Sequence, residues 1–211
     1  MAAGSRGILA VCRLDGMSYA RGLAAMECLA ALRQAGEVPD IMLHVQHTPV
    51  YTIGKRGLEE DILASAAELE SLGVEVHRTP RGGEVTFHGP GQAVMYPVCS
   101  VRGLGVGARR FVEGMEDAMI GAVARHGIVA HGRLEGATGV WVGEPVPTRK
   151  IGAIGVRISR GVSTHGMALN ICPDLSFFDH IVPCGAAGDK EVTSVARELE
   201  LAMASAAAAG A

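Results

Sequence analysis

The chain has 211 residues, a formal net charge of −3 at pH 7 and five cysteines. This length suits one well-buried core, so we predict a single domain. A slight acidic excess with no long run of Lys or Arg argues against nucleic acid as the main partner. The cysteines form no CxxC pair, which argues against a zinc site or a disulfide framework and fits a reducing compartment.

The beginning of the chain carries no recognisable targeting segment. Residues 1–11 lack both a basic leader and an apolar core of sufficient length. A membrane span needs about 18 consecutive apolar residues, and no run in the sequence approaches that length. We therefore expect a soluble cytoplasmic protein without a membrane partner.

The first half of the chain alternates between strand and helix patterns. Apolar periodicity predicts strands over residues 8–14 and 41–46 and a helix over residues 18–35, which Gly36 ends. Ser65 and Glu68 form a capping box for a short helix that Gly73 ends. Strands over residues 74–78 and 92–99 are then predicted on either side of a glycine-rich connection.

The second half predicts the rest of an α+β fold. A long helix is expected over residues 108–126, strands over 140–142, 151–158 and 162–169, and a last helix over 191–201. The alanine-rich residues 202–211 are interpreted as a frayed or disordered tail, so the domain is predicted to span residues 1–201. In this single domain the helices back one mixed, mainly antiparallel sheet.

Cys184, which lies between Pro183 and Gly185, is a candidate nucleophile. A proline and a glycine on either side of a thiol are typical of turned, exposed backbone. A free cysteine is, however, more often a small buried hydrophobe. The residues around Cys184 leave both interpretations open.

Further segments are candidates for lining a cleft with this thiol. Residues 81–92 contain Arg81, His88 and four glycines, which let backbone approach a ligand. The segment has neither the GK[ST] ending of a phosphate-binding loop nor a GxGxxG pattern. Lys150 precedes an apolar strand and would by itself be interpreted as a solvated edge charge. His165 begins a fourth segment, HGMALN.

Five ordered motifs make the chain resemble the lipoyl(octanoyl) transferase family. They are HTPVYTIG at residues 47–54, RGGEVTFHGPGQ at 81–92, KIGAIG at 150–155, HGMALN at 165–170 and IVPCG at 181–185. Phe87 stands where the family commonly has tyrosine, and Thr48 where proline is common. The resemblance implies a fold like the catalytic domain of biotin and lipoate protein ligases.

The resemblance also implies a reaction. The octanoyl group of octanoyl-acyl carrier protein passes through a thioester on Cys184 to a lysine of a lipoyl-accepting domain, with Lys150 as the partner of Cys184. The implied acceptors are the E2 subunits of 2-oxoacid dehydrogenases and the glycine cleavage H protein. Thioester exchange requires neither a nucleotide nor a metal ion, so we expect no cofactor and no metal site.

The family's binding residues are carried over by position. His165 is expected to support the pocket, and both His88 and His165 are expected to shape it rather than to act as bases. The residues expected along the acyl chain are Arg81, Gly82, Gly83, Glu84, Val85, Thr86, Phe87, His88, Ala153, Ile154, Gly155, Gly166, Met167 and Ala168.

Two other functions remain open on this fold. An ATP-dependent lipoate or biotin protein ligase would not need the cysteine, and it usually carries a further glycine-rich nucleotide segment that is not evident in this sequence. A non-catalytic binding protein is the other alternative. The presence of Cys184 together with Lys150 counts against it.

Overall fold

The computed structural model describes residues 9–182 and 190–209. The predicted nucleophile Cys184, with Pro183 and Gly185, lies outside these described residues. The strands are β1 (Leu9–Met17), β2 (Asp40–His47), β3 (Val50–Ile53), β4 (Glu75–Arg78), β5 (Val85–His88), β6 (Gln92–Val98), β7 (Ala130–His131), β8 (Val140–Val142), β9 (Arg149–Ser159), β10 (Val162–Asn170) and β11 (Glu191–Val192). The helices are α1 (Tyr19–Ala35), α2 (Ala66–Leu72), α3 (Ala108–Ala124) and α4 (Val195–Ala209), with 3-10 turns at Glu59–Asp61 and Leu175–His180.

A mixed sheet of eight strands forms the centre of the described chain. Its order is β1-β2-β6-β10-β9-β8-β7, with β11 added beside β9. The pairs β1–β2 and β9–β11 are parallel, and the others are antiparallel. This confirms the predicted α+β class with a mainly antiparallel sheet.

The two long helices cover opposite faces of this sheet. Met26 of α1 packs with Tyr96 and Ala168, whereas Met119 of α3 packs with Met167. Neighbouring residues of a strand point to opposite faces, so Ala168 and Met167 place α1 and α3 on different sides. The predicted amphipathic faces of both helices therefore supply the two cores.

A second, smaller sheet was not predicted. It has the order β4-β3-β5 and packs its apolar side chains with the 3-10 turn at Leu175–His180. The sequence pattern predicts a glycine-rich connection that includes residues 85–88, but these residues form β5. All four residues of β3 are buried, so this strand lacks the polar alternation that reveals a half-buried strand.

The C-terminal prediction is wrong at both ends of the last helix. Residues 191–192 pair with β9 as β11, and α4 begins at Val195 and continues to Ala209. Residues 202–209 are therefore helical rather than frayed, because alanine has the highest helix propensity. No helix among the described residues is long and apolar enough to cross a membrane.

Candidate active site

A narrow pocket lies between the large sheet and the glycine-rich segment that precedes β5. Its cavity volume is about 50 Å³. β9 and β10 form one wall, and Val94 and Tyr96 of β6 continue it. We call this pocket the slot.

Most of the site residues predicted from separate motifs meet in this slot. Those that line it are Arg81, Gly83, Thr86, His88, Lys150, Ala153, Ile154, Gly155, His165, Gly166, Met167 and Ala168. Gly82, Glu84, Val85 and Phe87 are absent from its lining. Val85 and Phe87 point instead into the core of the small sheet, because alternate residues of β5 face opposite sides.

Arg81 holds in place the glycine-rich segment that precedes β5 and closes the slot. Its guanidinium is buried and donates to the carbonyl of Thr52 at 2.6 Å and to the carbonyl of Glu84 at 2.9 Å. Gly82 donates from its backbone to the carbonyl of Val156 at 3.0 Å. A Cβ on Gly155 would lie 2.7 Å from the Gly82 carbonyl oxygen, so glycine is required for this close approach.

A chain of amides fixes the tautomer of His88. Asn170 donates to the Thr193 carbonyl, and its own Oδ1 accepts a hydrogen bond from Gln92 Nε2. Gln92 Oε1 must then accept from His88 Nδ1, at 3.1 Å, which leaves His88 Nε2 as the acceptor nitrogen. Burial, together with the neighbouring His47 ring and the Arg81 guanidinium, lowers the pKa of His88 to about 3. His88 is therefore neutral at physiological pH.

His47 and Tyr96 form a second buried pair behind the slot. His47 Nδ1 lies 3.0 Å from the Met17 carbonyl oxygen and donates to it, so its Nε2 accepts from the Tyr96 hydroxyl at 2.8 Å. Burial lowers the pKa of His47 although the Met17 contact opposes this. A Cβ on Gly22 would lie 2.8 Å from the His47 ring, so α1 packs directly on this histidine.

Lys150 is buried at one end of the slot, and only 8% of its surface is exposed. The side chain therefore does not behave as a solvated edge charge. Its Nζ lies 5.1 Å from the centroid of the Trp141 ring, where the indole face favours a cation. Gly139 has a φ of 122°, and a Cβ there would lie 2.9 Å from Lys150 Cε, so glycine gives the lysine its room.

The chain returns to Lys150 directly after the residues that are not described. Val192 pairs with Lys150 in the parallel β9–β11 ladder, and Thr193 donates to the Lys150 carbonyl at 2.9 Å. Lys190 Nζ also lies 5.1 Å from the Trp141 ring centroid. Both Val192 and Phe178, which flank residues 183–189 in the sequence, line the slot.

Glu116 of α3 holds the loop that packs against Lys150. This carboxylate is 2% exposed and accepts hydrogen bonds from the backbone nitrogens of Arg133 and Gly139, each at 3.0 Å. It therefore fixes both ends of the turn between β7 and β8. The sequence analysis did not identify Glu116, since a single acidic residue within a helix pattern resembles ordinary surface charge.

We expect Glu116→Gln to destabilise the protein by about 2 kcal/mol, because the amide nitrogen would face a backbone donor and leave it unsatisfied. Urea unfolding measures this change. Glu113→Gln, on the same helix, is the matched control, since Glu113 makes only surface ion pairs with Arg109 and Arg110. Equal effects of the two substitutions would contradict the role of Glu116.

Several other residues of the slot were missed in the sequence. Tyr19 carries no local pattern, and a single aromatic residue usually belongs to a core. The same holds for Trp141, whose ring lies beside Lys150 although it does not line the slot itself. Gln92 and Asn170 end two of the quoted motifs but were not assigned a role. Among the described residues, no three His, Cys, Asp or Glu side chains lie close enough together to hold a metal ion.

The slot and its lysine are built from sequence motifs, and these motifs can be compared with known protein families. Residues 18–209 match the family model described as the lipoyl protein ligase A/B catalytic domain. The chain therefore belongs to this family, which confirms the resemblance predicted from its motifs.

Relatives with closely similar sequences are octanoyltransferases. The chain is 49% identical over 192 residues to the mitochondrial octanoyltransferase LIP2 of Arabidopsis thaliana, covering 91% of this chain and 80% of that protein. It is 45% identical over 192 residues to an octanoyltransferase of Chloroflexus aurantiacus, covering 90% and 84%.

Solved structures of lipoate ligases share the fold. Lipoate-protein ligase A bound with ATP superimposes with a TM-score of 0.66 at 16% identity, covering 91% of this chain and 77% of that one. Protein Ta0514 of T. acidophilum with bound lipoic acid gives a TM-score of 0.62 at 17% identity, with the same coverage. At such low identity the likeness establishes the architecture alone.

Proposed function

We propose that this protein is an octanoyltransferase of lipoate biosynthesis that works through a thioester on Cys184, with Lys150 as its acid–base partner. The observation that carries the proposal is the burial of the Lys150 amine at one end of a narrow, mostly apolar slot. The Arabidopsis and Chloroflexus relatives, which are named octanoyltransferases, support the same activity.

The first half-reaction moves the acyl group to the enzyme. Lys150, as a neutral amine, takes the proton of the Cys184 thiol, and the thiolate attacks the thioester carbonyl of the donor. The bond between the carbonyl carbon and the donor sulfur breaks, and the proton on Lys150 passes to the leaving thiolate. A free thiol near pKa 8.5 is only a few per cent ionised at neutral pH, so this assistance matters.

The second half-reaction moves the acyl group to the acceptor. The amine of an acceptor lysine attacks the Cys184 thioester, the bond from the carbonyl carbon to Cys184 Sγ breaks, and an amide forms. Lys150 accepts the proton that the attacking amine loses and returns it to the Cys184 thiolate. Lys150 therefore cycles between its neutral and its charged form, and the adjacent indole face stabilises the charged form.

The histidines of the slot are weaker candidates for this proton transfer. Burial lowers the pKa of His88 to about 3 and that of His165 to about 4. A general base works best when its pKa lies near the operating pH. These values count against a cysteine–histidine arrangement and agree with shaping roles for His88 and His165.

Partners and location complete the proposal. We infer octanoyl-acyl carrier protein as donor, and as acceptors the lipoyl domains of 2-oxoacid dehydrogenase E2 subunits and the glycine cleavage H protein. The catalytic unit is a single domain, and α4 extends it past residue 201. Its location is cytoplasmic, as expected from the sequence, although the Arabidopsis relative is mitochondrial.

Intact-mass measurement after mixing with octanoyl-acyl carrier protein tests this function. We expect a mass gain of one octanoyl group on the enzyme without ATP, and loss of that gain on addition of a lipoyl domain. Cys184→Ser should abolish the thiol-linked adduct. Acylation that requires ATP would instead identify a ligase, and the absence of any covalent adduct would identify a binding protein.

A further inference from the structure

Three exposed arginines lie together at one end of the large sheet. Arg157 lies near the end of β9, Arg160 lies in the turn that joins β9 to β10, and Arg102 follows the end of β6. The Gly161 carbonyl of that turn accepts a hydrogen bond from the Val101 backbone at 2.9 Å. A Cβ on Gly161 would lie 3.8 Å from Arg102 Cβ, so the two loops are in contact. We call Arg102, Arg157 and Arg160 the hairpin arginines.

No carboxylate pairs with the hairpin arginines in the part of the chain that the structure describes. The ion pairs found there involve other arginines. Neither residues 99–107 nor residues 156–164 contain Asp or Glu. Asp40 contacts the same region, but its Oδ1 already accepts hydrogen bonds from the Ser100 backbone at 2.8 Å and from Arg33 Nε at 2.7 Å. This end of the sheet therefore has an excess of positive charge, although the whole chain is slightly acidic.

The backbone of Arg160 makes an arginine unusual at this position. Arg160 and Gly161 form the two-residue turn of a hairpin, and their φ angles of 51° and 83° are those of a type I′ turn. Such a turn strongly favours Asn, Asp or Gly at its first central position, because both central residues are left-handed. An arginine there costs backbone energy without gaining an ion pair within the described chain. Strain of this kind is typical of functional positions and indicates that the charge is what matters at residue 160.

The hairpin arginines lie far from the proposed reaction centre. Arg157 follows Lys150 by seven residues of β9, which span about 23 Å. An acceptor lysine has a side chain of about 6 Å and must bring its own backbone close to Lys150. The donor thioester instead lies at the end of a phosphopantetheine arm, which spans about 16 Å when its bonds are extended. The position of the arginines therefore favours the donor over the acceptor as their partner.

We propose that the hairpin arginines bind the acyl carrier protein while its arm delivers the octanoyl thioester to the slot. This inference rests on the proposed octanoyltransferase function and adds the surface that recognises its donor. Acyl carrier proteins are acidic, and a phosphodiester joins the arm to the protein, so the donor presents anions that guanidinium groups bind well. Complementary charges of this kind mainly raise the rate of encounter, and salt weakens their effect.

Steady-state transfer to a lipoyl domain tests this surface through kcat/KM for octanoyl-acyl carrier protein. We expect Arg102→Gln, Arg157→Gln and Arg160→Asn each to lower this value about threefold, and the triple variant to lower it about thirtyfold, because exposed charges act weakly and nearly additively. The rate at saturating donor and kcat/KM for the lipoyl domain should stay unchanged. Increasing NaCl should lower the donor kcat/KM of the wild-type protein more steeply than that of the triple variant.

Two comparisons separate docking from effects on the fold. Arg109→Gln is the matched control, since this exposed arginine already pairs with Glu113, and it should change the donor kcat/KM less than twofold. Arg160→Asn removes the charge but suits the turn, so its urea midpoint should equal or exceed that of the wild-type protein while the donor kcat/KM falls. A lower midpoint with unchanged donor kcat/KM would give Arg160 a structural role instead.

The remaining outcomes overturn either the surface or the proposed function. An unchanged donor kcat/KM in the folded triple variant would overturn the docking surface and leave octanoyl transfer intact. An equal loss in Arg109→Gln would overturn it as well, by showing an unspecific effect of charge, and so would a loss confined to kcat/KM for the lipoyl domain. A wild-type protein that transfers no octanoyl group would instead overturn the proposed function, and the surface with it.

Discussion

Lys150→Ala is expected to slow acylation of Cys184 about a thousandfold while leaving binding of the octanoyl donor nearly unchanged. General acid–base assistance by a positioned side chain contributes on this scale. In the proposed mechanism the amine acts on the reacting groups, whereas the acyl chain would lie along slot residues farther down β9 and β10. Single-turnover acylation, followed by intact mass at saturating donor, measures the chemical step directly. An unchanged rate would show that the proposed cysteine–lysine pair is wrong.

Two controls separate the charge of Lys150 from its proton transfer. Lys150→Arg keeps a cation that does not lose its proton near neutral pH, so acylation should remain slow. Lys190→Ala removes the other ammonium, which lies at the same 5.1 Å from the Trp141 ring but is not assigned to the chemistry. It should lose far less activity than Lys150→Ala. Full activity of Lys150→Arg would limit the role of Lys150 to electrostatics.

Gly166→Ala is expected to destabilise the fold by about 3 kcal/mol or more, because a Cβ at this position overlaps backbone. It would lie 2.2 Å from the Met95 carbonyl oxygen and 2.5 Å from Pro97 Cδ. β10 lies between β6 and β9, and Met167 pairs with Met95, so neither strand can move away independently. Urea unfolding of Gly166→Ala should show a lower midpoint than that of the wild-type protein.

Gly121→Ala provides the matched control for added volume. Gly121 lies within α3, and a Cβ there would meet nothing within 4 Å. Replacing a helical glycine by alanine stabilises by roughly 0.5–1 kcal/mol. The two glycine-to-alanine substitutions should therefore act in opposite directions. Destabilisation of similar size by both would contradict the packing argument for Gly166.

Periodic elements could be predicted from the sequence because their polar and apolar faces differ. Strand β8 has the predicted limits Val140–Val142, α1 differs from the prediction by one residue, and Ser65 with Glu68 forms the predicted capping box. Strand β3 is buried on both sides and therefore has no alternation to read. The length of α4 was underestimated because a run of alanine was interpreted as low complexity rather than as strong helix propensity.

The candidate site could be predicted only where its residues occur in recognisable motifs. Lys150, His88 and His165 lie in quoted segments, and the structure brings all three to the slot. Tyr19 also lines the slot, and Trp141 lies beside Lys150, but a single aromatic residue in the sequence does not reveal either position. The left-handed backbone of His165 is also invisible in the sequence, because only a small share of histidines adopts this conformation.

The contacts of the C-terminal residues bear on when the protein becomes active during its synthesis. Thr193 donates to the carbonyl of Lys150, and Glu198 of α4 holds Arg149, the preceding residue, through two hydrogen bonds of 2.8 and 2.9 Å. Chains emerge from the ribosome with the N-terminal part first. A nascent chain therefore lacks the strand and helix that support Lys150 until residues 191–209 have emerged. Until then the KIGAIG motif is present without the elements that hold its lysine in place.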